Sequence, residues 1–219
     1  MRRCCAPAST ASSRNTVRAD QDSAFRRLYR RAYQVRNPLV ATDRKRLEAV
    51  RPTLQRYAEQ NKVDWLALAA VAFKESNLNA SARGAGGATG LMQITPAAAR
   101  AVGVGSVHQK ESNVQAASRY VAMLRKRFFS SPRINERDRM AFVLAAYNAG
   151  PERIQSLRAE ARRQGLDPNR WFFQVERVAA EQLGMGVVNY VSSVNKYYLA
   201  YQRERDGLEP RESVATIKK

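Results

Sequence analysis

Residues 65–73 read Trp-Leu-Ala-Leu-Ala-Ala-Val-Ala-Phe, the longest apolar run in the chain, and Lys74-Glu75-Ser76 follow it at once. Trp65, Leu68 and Ala72 recur at helical spacing, so the run is a helix, and its buried stripe extends to Glu75. It is far too short to span a membrane and has the length of a core helix. Ionising a carboxylate on that stripe is costly, and the negative end of the helix dipole adds to the cost. Both effects push its pKa up, toward a group that holds a donatable proton at neutral pH. A Glu at a frayed helix end, turned back to water, is the plainer reading and stays open on this pattern alone.

The rest of the chain reads as one helix after another. Leu47, Val50, Leu54 and Tyr57 share a face, and Pro52 is expected to break or kink that run near Arg51. A Gly- and Ala-rich loop without helical period runs from Asn79 to Gln93. Thr95-Pro96 is an N-cap with proline at the first helical position, and Gly103 closes that short helix. Ser112 is expected to cap a long helix striped by Val114, Ala117, Val121, Leu124 and Phe128. Met140, Val143, Leu144 and Tyr147 mark the next, ending at Gly150 before Pro151 opens another. Asp167-Pro168 repeats the cap signal ahead of Phe172, Val175 and Ala179, and Val187, Tyr190, Val191, Val194 and Tyr198 complete the set. No alternating strand pattern competes. The fold class is all-α, a single helical domain at residues 46–205. A disordered basic leader (1–24) and a basic amphipathic lead-in (25–45) precede it, and a polar tail (206–219) follows.

Composition narrows the chemistry. Hydrophobic residues make up 44% of the 219, enough for a real core. The balance of 38 Lys and Arg against 19 Asp and Glu gives +19, which favours polyanionic surroundings without choosing among nucleic acid, anionic lipid and envelope polymers. Cys4 and Cys5 are the only cysteines and are adjacent, so no internal disulfide is expected. His108 is the sole histidine, which argues against His-based triads and metal clusters. Met1-Arg2-Arg3 gives a basic start with no apolar h-region behind it.

Three elements could carry chemistry. They are Glu75-Ser76; the loop Gly86-Gly87-Ala88-Thr89-Gly90-Leu91-Met92-Gln93, whose glycines let backbone approach a ligand; and Ala145-Ala146-Tyr147-Asn148-Ala149-Gly150, where Tyr147 lies on an apolar face and needs a buried partner for its hydroxyl. An ordinary Gly-rich connection and a core tyrosine bonded to backbone are the bland readings of the last two. In this order and spacing the three resemble the lytic murein transglycosylases with the soluble-transglycosylase (SLT), goose-lysozyme-like domain. The resemblance is carried by Glu75-Ser76, by Gly87-Ala88-x-Gly90-Leu91-Met92-Gln93-Ile94-x-Pro96 and by Ala146-Tyr147-Asn148-Ala149-Gly150-Pro151. It is greatest to the catalytic domain of the lytic murein transglycosylase F group. That closer likeness lies in Gly165-Leu166-Asp167-Pro168-Asn169-Arg170-Trp171-Phe172, and in Tyr190-Val191-Ser192 leading to Lys196-Tyr197-Tyr198. Residues 37–202 are covered.

The resemblance implies a lysozyme-like fold and cleavage of the β-1,4 bond between MurNAc and GlcNAc in peptidoglycan glycan strands, leaving 1,6-anhydroMurNAc ends. Glu75 would be the single catalytic acid and then base. Tyr147 would position or hydrogen-bond it, Ser76, Met92, Gln93 and Asn148 would contact substrate, and Tyr190 would close the site from another side. No second acidic residue stands on a comparable apolar face: Asp64 and Glu111 read as caps or surface charges. No cofactor and no metal are implied. The expected partners are glycan strands and an anionic envelope surface, with no specific nucleic acid, and the expected state is a monomer. The expected location is the periplasm or cell envelope, the chain's start being read as truncated. Two departures stand out: Gly84-Ala85 where the family usually has Ser-Pro, and Gly186-Val187 where it usually has Glu-Thr. A goose-type muramidase that admits water and a catalytically weak peptidoglycan-binding module are the alternatives.

Overall fold

The computed structural model of the protein describes residues 36–209. The expected leader, most of the amphipathic lead-in and residues 210–219 lie outside the described residues. Helices follow one another as α1 (Ala41–Asn61), α2 (Trp65–Ser76), α3 (Pro96–Ala101), α4 (Lys110–Phe128), α5 (Glu136–Ala149), α6 (Pro151–Arg163), α7 (Glu176–Leu183), α8 (Met185–Arg203) and the single turn α9 (Arg205–Leu208). Among the described residues there is no strand, only two isolated bridges, Arg83 with Thr89 and Thr89 with Ile94, inside the Gly-rich loop. The all-α expectation therefore holds.

The central helix is α2. Asp64 caps its start, accepting from the Leu66 amide at 2.9 Å, and every residue from Trp65 to Phe73 is buried. A helix apolar on all sides must sit in the middle of a bundle. Here α8 and α1 pack against it, α5 packs on α8, and α4 bridges α1 and α5. Phe73 meets Tyr197 of α8 edge-on, with ring centroids 4.7 Å apart. Packing continues past the expected domain end: Leu208 is buried, and the Trp65 indole donates to Glu209 at 2.6 Å.

Several local expectations are corrected. The first helix runs through Pro52 unbroken. Pro52 is exposed, so the carbonyl it cannot satisfy one turn earlier faces water, while Leu47 and Leu54 are fully buried and hold the helix down. Ser112 caps nothing. The helix already starts at Lys110, and the Ser112 hydroxyl turns back to the Gln109 carbonyl at 3.2 Å. Asp167-Pro168 opens no helix either. A π-type turn at Trp171–Val175, with Phe173 at φ 61°, intervenes before α7.

Other acids are drawn into the core as well. Asp43, Asp138 and Glu176 are all sequestered. Arg36 and Arg46 neutralise Asp43. Asp138 accepts from the Trp171 amide at 2.8 Å and the Asn135 side chain at 2.7 Å. Glu176 accepts from the Phe173 amide at 3.1 Å through one oxygen, while its other oxygen has no partner. Burial pushes the Glu176 carboxyl up to about 7, against the weaker opposing pull of that amide and of Arg137.

A raised carboxyl pKa means that the native state keeps a proton which the unfolded chain loses. Stability attributable to Glu176 is thus intact below the unfolded value of 4.5 and declines as the pH climbs to about 7. The full difference is roughly 3 kcal/mol. Urea midpoints measured from pH 4.5 to 8 should fall with a steeper slope in the wild type than in Glu176→Gln. Parallel slopes would show that this carboxyl does not titrate in the native state.

Candidate active site

Glu75 lies in the last turn of α2, flanked by exposed Lys74 and partly buried Ser76. The tyrosine of α8 faces it: the Tyr190 hydroxyl donates to Glu75 Oε1 at 2.7 Å. Burial raises the Glu75 pKa, and the Tyr190 bond and the Lys74 charge only partly offset the rise. The sequence expectation of an elevated acid therefore has a geometric basis in a carboxylate largely withdrawn from water with one hydroxyl donor. Tyr190 is itself buried, and burial together with the facing carboxylate lifts its phenol well above the ordinary range. It serves at neutral pH as a neutral donor.

Tyr147, near the end of α5, was expected to position or hydrogen-bond Glu75. Its hydroxyl donates instead to the Met92 carbonyl at 2.8 Å. Burial, the charge of Glu75 and neighbouring Tyr120 raise the Tyr147 phenol, and the Tyr120 ring packs edge-on at 5.8 Å. Tyr147 thus adjoins the carboxylate while anchoring the Gly-rich loop. Ser76 does similar work from the other side. Its hydroxyl lies 2.8 Å from the Leu91 carbonyl and 3.1 Å from that of Ala72, and it accepts from the Asn79 amide at 3.1 Å. Neither hydroxyl is idle, so both contribute by fixing backbone.

Met92 is fully buried and has no surface left to offer a glycan. Gln93 adopts φ 45° and folds its amide back, donating to the carbonyls of Ala82 at 3.2 Å and Gly90 at 2.9 Å. Asn148 is exposed at the end of α5, beside Tyr147. The structure thus gathers Glu75 and Tyr190 in one bond, sets Ser76, Tyr147, Met92 and Gln93 in the adjoining loop network, and leaves the Asn148 amide at the surface.

Sequence reasoning missed the residue that organises this loop. Asn113 of α4 is fully buried. Its Oδ1 accepts from the Met92 amide at 2.8 Å, and its Nδ2 donates to the carbonyls of Thr89 at 2.7 Å and Val107 at 3.1 Å. The loop comes so close that a Cβ on Gly90, which sits at φ 76°, would stand 2.6 Å from the Asn113 amide. The available signal was register, since Asn113 lies one turn before Ala117 on the very stripe that continues to Val121 and Leu124. The Gly186 position is open instead: nothing stands within 4 Å of a Cβ built there. Among the described residues, no group of three or more His, Cys, Asp and Glu side chains is placed to hold a metal ion.

Two outcomes follow from this geometry. Asn113→Ala strands the Met92 amide and two carbonyls, and should cost roughly 3 kcal/mol or more in urea unfolding. A loss under about 1 kcal/mol would mean that the loop holds itself. Tyr190→Phe removes a bond that favours the ionised Glu75, so the carboxyl pKa should rise further. The alkaline limb of the pH–rate profile should then move to higher pH, and a shift downward would contradict the hydrogen-bond assignment.

The transglycosylase SLT domain matches residues 52–169, which contain Glu75, the Gly-rich loop and Tyr147-Asn148. The membrane-bound lytic murein transglycosylase F of Desulfosudis oleivorans is 33% identical over 159 residues, covering 69% of this chain and 35% of that protein. The protein of the same name from Pseudomonas fluorescens is 31% identical, covering 64% and 31%. A solved structure of the lytic transglycosylase Slt from Pseudomonas aeruginosa, an inactive mutant with Glu replaced by Gln, superposes with a TM-score of 0.50 at 25% identity, covering 71% of this chain and 24% of that one. The chain spans about a third of the length of these curated relatives. With more than half of its residues matched, Glu75, the Gly-rich loop and Tyr147 among them, the chain belongs to the transglycosylase SLT domain family.

Proposed function

We propose that this chain is a peptidoglycan lytic transglycosylase that cuts the β-1,4 bond between MurNAc and GlcNAc with Glu75 as its only acid and base. The observation that carries this reading is the partly buried Glu75 carboxyl, raised in pKa and met by one phenolic donor. Most glycosidases need a second carboxylate to activate water or to attack the sugar. The buried acids Asp43, Asp138 and Glu176 are each engaged elsewhere, with Arg36 and Arg46, with the Trp171 amide and with the Phe173 amide respectively. A single-carboxylate route fits that distribution.

In this route protonated Glu75 gives its proton to the glycosidic oxygen as the bond to C1 of MurNAc breaks. The Glu75 carboxylate so formed takes the proton from the MurNAc C6 hydroxyl as that oxygen attacks C1. The 1,6-anhydro ring closes, GlcNAc leaves with its new hydroxyl, and the acid is restored. The nucleophile is already attached to the reacting sugar, so its positioning costs little entropy. The names of the relatives and the inactive Glu-to-Gln Slt support the substrate and the role of a glutamate. Activity on murein supports a location in the periplasm or cell envelope, and the +19 charge suits an anionic envelope surface. No helix of the described residues is long and apolar enough to cross a membrane.

The test is mass spectrometry of muropeptides released from purified peptidoglycan by wild type and Glu75→Gln. Wild type should release anhydro-ended products, and the variant should be slower by roughly two to four powers of ten with its thermal melt preserved. Reducing-ended products, heavier by one water, would make the enzyme a muramidase. Intact glycan with both proteins would make the chain a binding module.

A further inference from the structure

The helices that carry the Glu75 site also frame a groove at their far end. Asp64 caps the start of α2, while Glu75 lies in its last turn, roughly 16 Å farther along the axis. On the Asp64 side, Met140 of α5 and Tyr198 and Leu199 of α8 line a cavity of about 350 Å3, together with Glu136, Arg137 and Asn195. A second cavity, of about 200 Å3, shares Glu136, Met140 and Tyr198 with the first and reaches Val63, Asp64 and Lys62. The two therefore adjoin as one groove between α5 and α8. Leu199 is 48% exposed. A lone exposed leucine is ordinary, but a leucine, a methionine and a tyrosine around one concavity make an apolar seat.

The charges along this groove are unevenly spent. Arg125 and Arg139 meet Glu136, and Arg205 meets Asp64. Among the described residues Lys62 and Arg137 have no ion-pair partner, and the Arg137 guanidinium lies over the Phe172 ring at 4.3 Å. What the groove has to spare is positive charge.

The described chain stops at the rim of the groove. Arg205 bonds both Asp64, at 2.9 Å, and Glu209, at 3.5 Å, so one guanidinium separates Glu209 from the groove wall. The Trp65 indole holds the same Glu209 carboxylate. The Glu209 backbone is extended, φ −101° and ψ 113°, as suits a residue before proline. Residues 210–219 then read Pro-Arg-Glu-Ser-Val-Ala-Thr-Ile-Lys-Lys, in which Val214 and Ile217 are the branched apolar residues and Glu212 the only acid.

We propose that residues 211–217 of this chain cover the groove, Val214 and Ile217 seated against Met140, Tyr198 and Leu199 and Glu212 paired with Lys62. The reach is ample. Along an extended chain Val214 lies up to roughly 17 Å from Glu209 and Ile217 up to roughly 28 Å. The Tyr198 hydroxyl is 2.8 Å from Asp64, and Leu199 follows Tyr198 directly. The order along the segment also matches the order along the groove. Its acid comes first, at the end where Lys62 and Asp64 stand, and its apolar residues come next, toward Leu199. This inference goes beyond the chemistry at Glu75 and does not depend on it. It gives the chain a clasp that joins α5 to α8, the helix that carries Tyr190.

The experiment places a photoreactive benzophenone amino acid at position 217 of the full chain and maps the cross-links by mass spectrometry after digestion. Cross-links within one chain to Met140 or Leu199 are expected, and Leu199→Glu should lower their yield about tenfold, as expected for losing one apolar seat. A second measurement needs no photoreactive group. The Met140 methyl NMR signal is compared between wild type and a full chain carrying both Val214→Ser and Ile217→Ser. The signal should move in the double variant and return when a synthetic peptide of residues 210–219 is added. A Met140 methyl that does not move, or cross-links confined to other surfaces, overturns the proposal. Cross-links to Met140 or Leu199 found only at the mass of a dimer show that a second copy supplies the segment, and overturn its assignment to the same chain.

Discussion

The hydrogen bond from Tyr190 to Glu75 is the contact around which the fold is arranged. Joining them has α2 run through the middle of the bundle, so that its last turn holds the Glu75 carboxyl largely out of water. It also requires α8 to pack along α2, so that a buried phenol meets that carboxyl. The same bond opposes what burial does to Glu75. Desolvation favours the protonated acid, and the phenol favours the anion that must form once the proton has gone. A group that serves both as acid and as base needs both influences, with burial the stronger, so that it starts the cycle protonated.

The other buried carboxylates show how unusual the placing of Glu75 is. Asp43, Asp138 and Glu176 all stand in the first turn of their helices. There, free backbone amides and the positive end of the dipole stabilise negative charge. Glu75 stands in a last turn, where both influences reverse. A structural acid gains nothing from that position, whereas a proton donor does. Glu176 is the intermediate case: it has the favourable helix end, yet its unpartnered oxygen and complete burial still lift it to about 7. Desolvation outweighs the dipole when too few donors accompany it.

Much of this was legible in the sequence. The apolar period gave the helices, and the position of Glu75 at the end of the longest apolar run was enough to single it out. Errors fell where tertiary packing overrules local chemistry. Pro52 stays within a helix because its unsatisfied carbonyl faces water and its neighbours are anchored in the core. Asp167-Pro168 carries a cap signature, but the Asp167 side chain accepts from the Asn169 amide in a local turn, and the chain needs a π-type corner to bury Trp171 before α7 begins. The roles of Tyr147 and Asn113 were hidden for a different reason. Their partners are backbone groups of a loop without period, and no pattern in side-chain identity encodes where a carbonyl will point.

Those backbone partners explain how so irregular a loop can hold a defined shape. Asn113 pins it at Met92 and Thr89 and ties it to Val107 beyond α3, Tyr147 holds the Met92 carbonyl, and Ser76 holds that of Leu91. Met92 is gripped on both sides, its amide by one helix and its carbonyl by another. Any movement of the loop is then communicated to Tyr147, which adjoins Glu75, and to Ser76, which follows Glu75 in the chain. At Gly186 the opposite holds. One helical turn before Tyr190 on the same face of α8, it offers open space where the resemblance leads one to expect a supporting carboxylate. Without that second charge, no acid at this position raises the Glu75 carboxyl by repulsion: burial alone lifts it, and the Tyr190 bond is the chief influence opposing that rise. The loop clamps and the single phenol therefore divide the work: the first fix where the carboxyl stands, and the second sets how readily it gives up its proton.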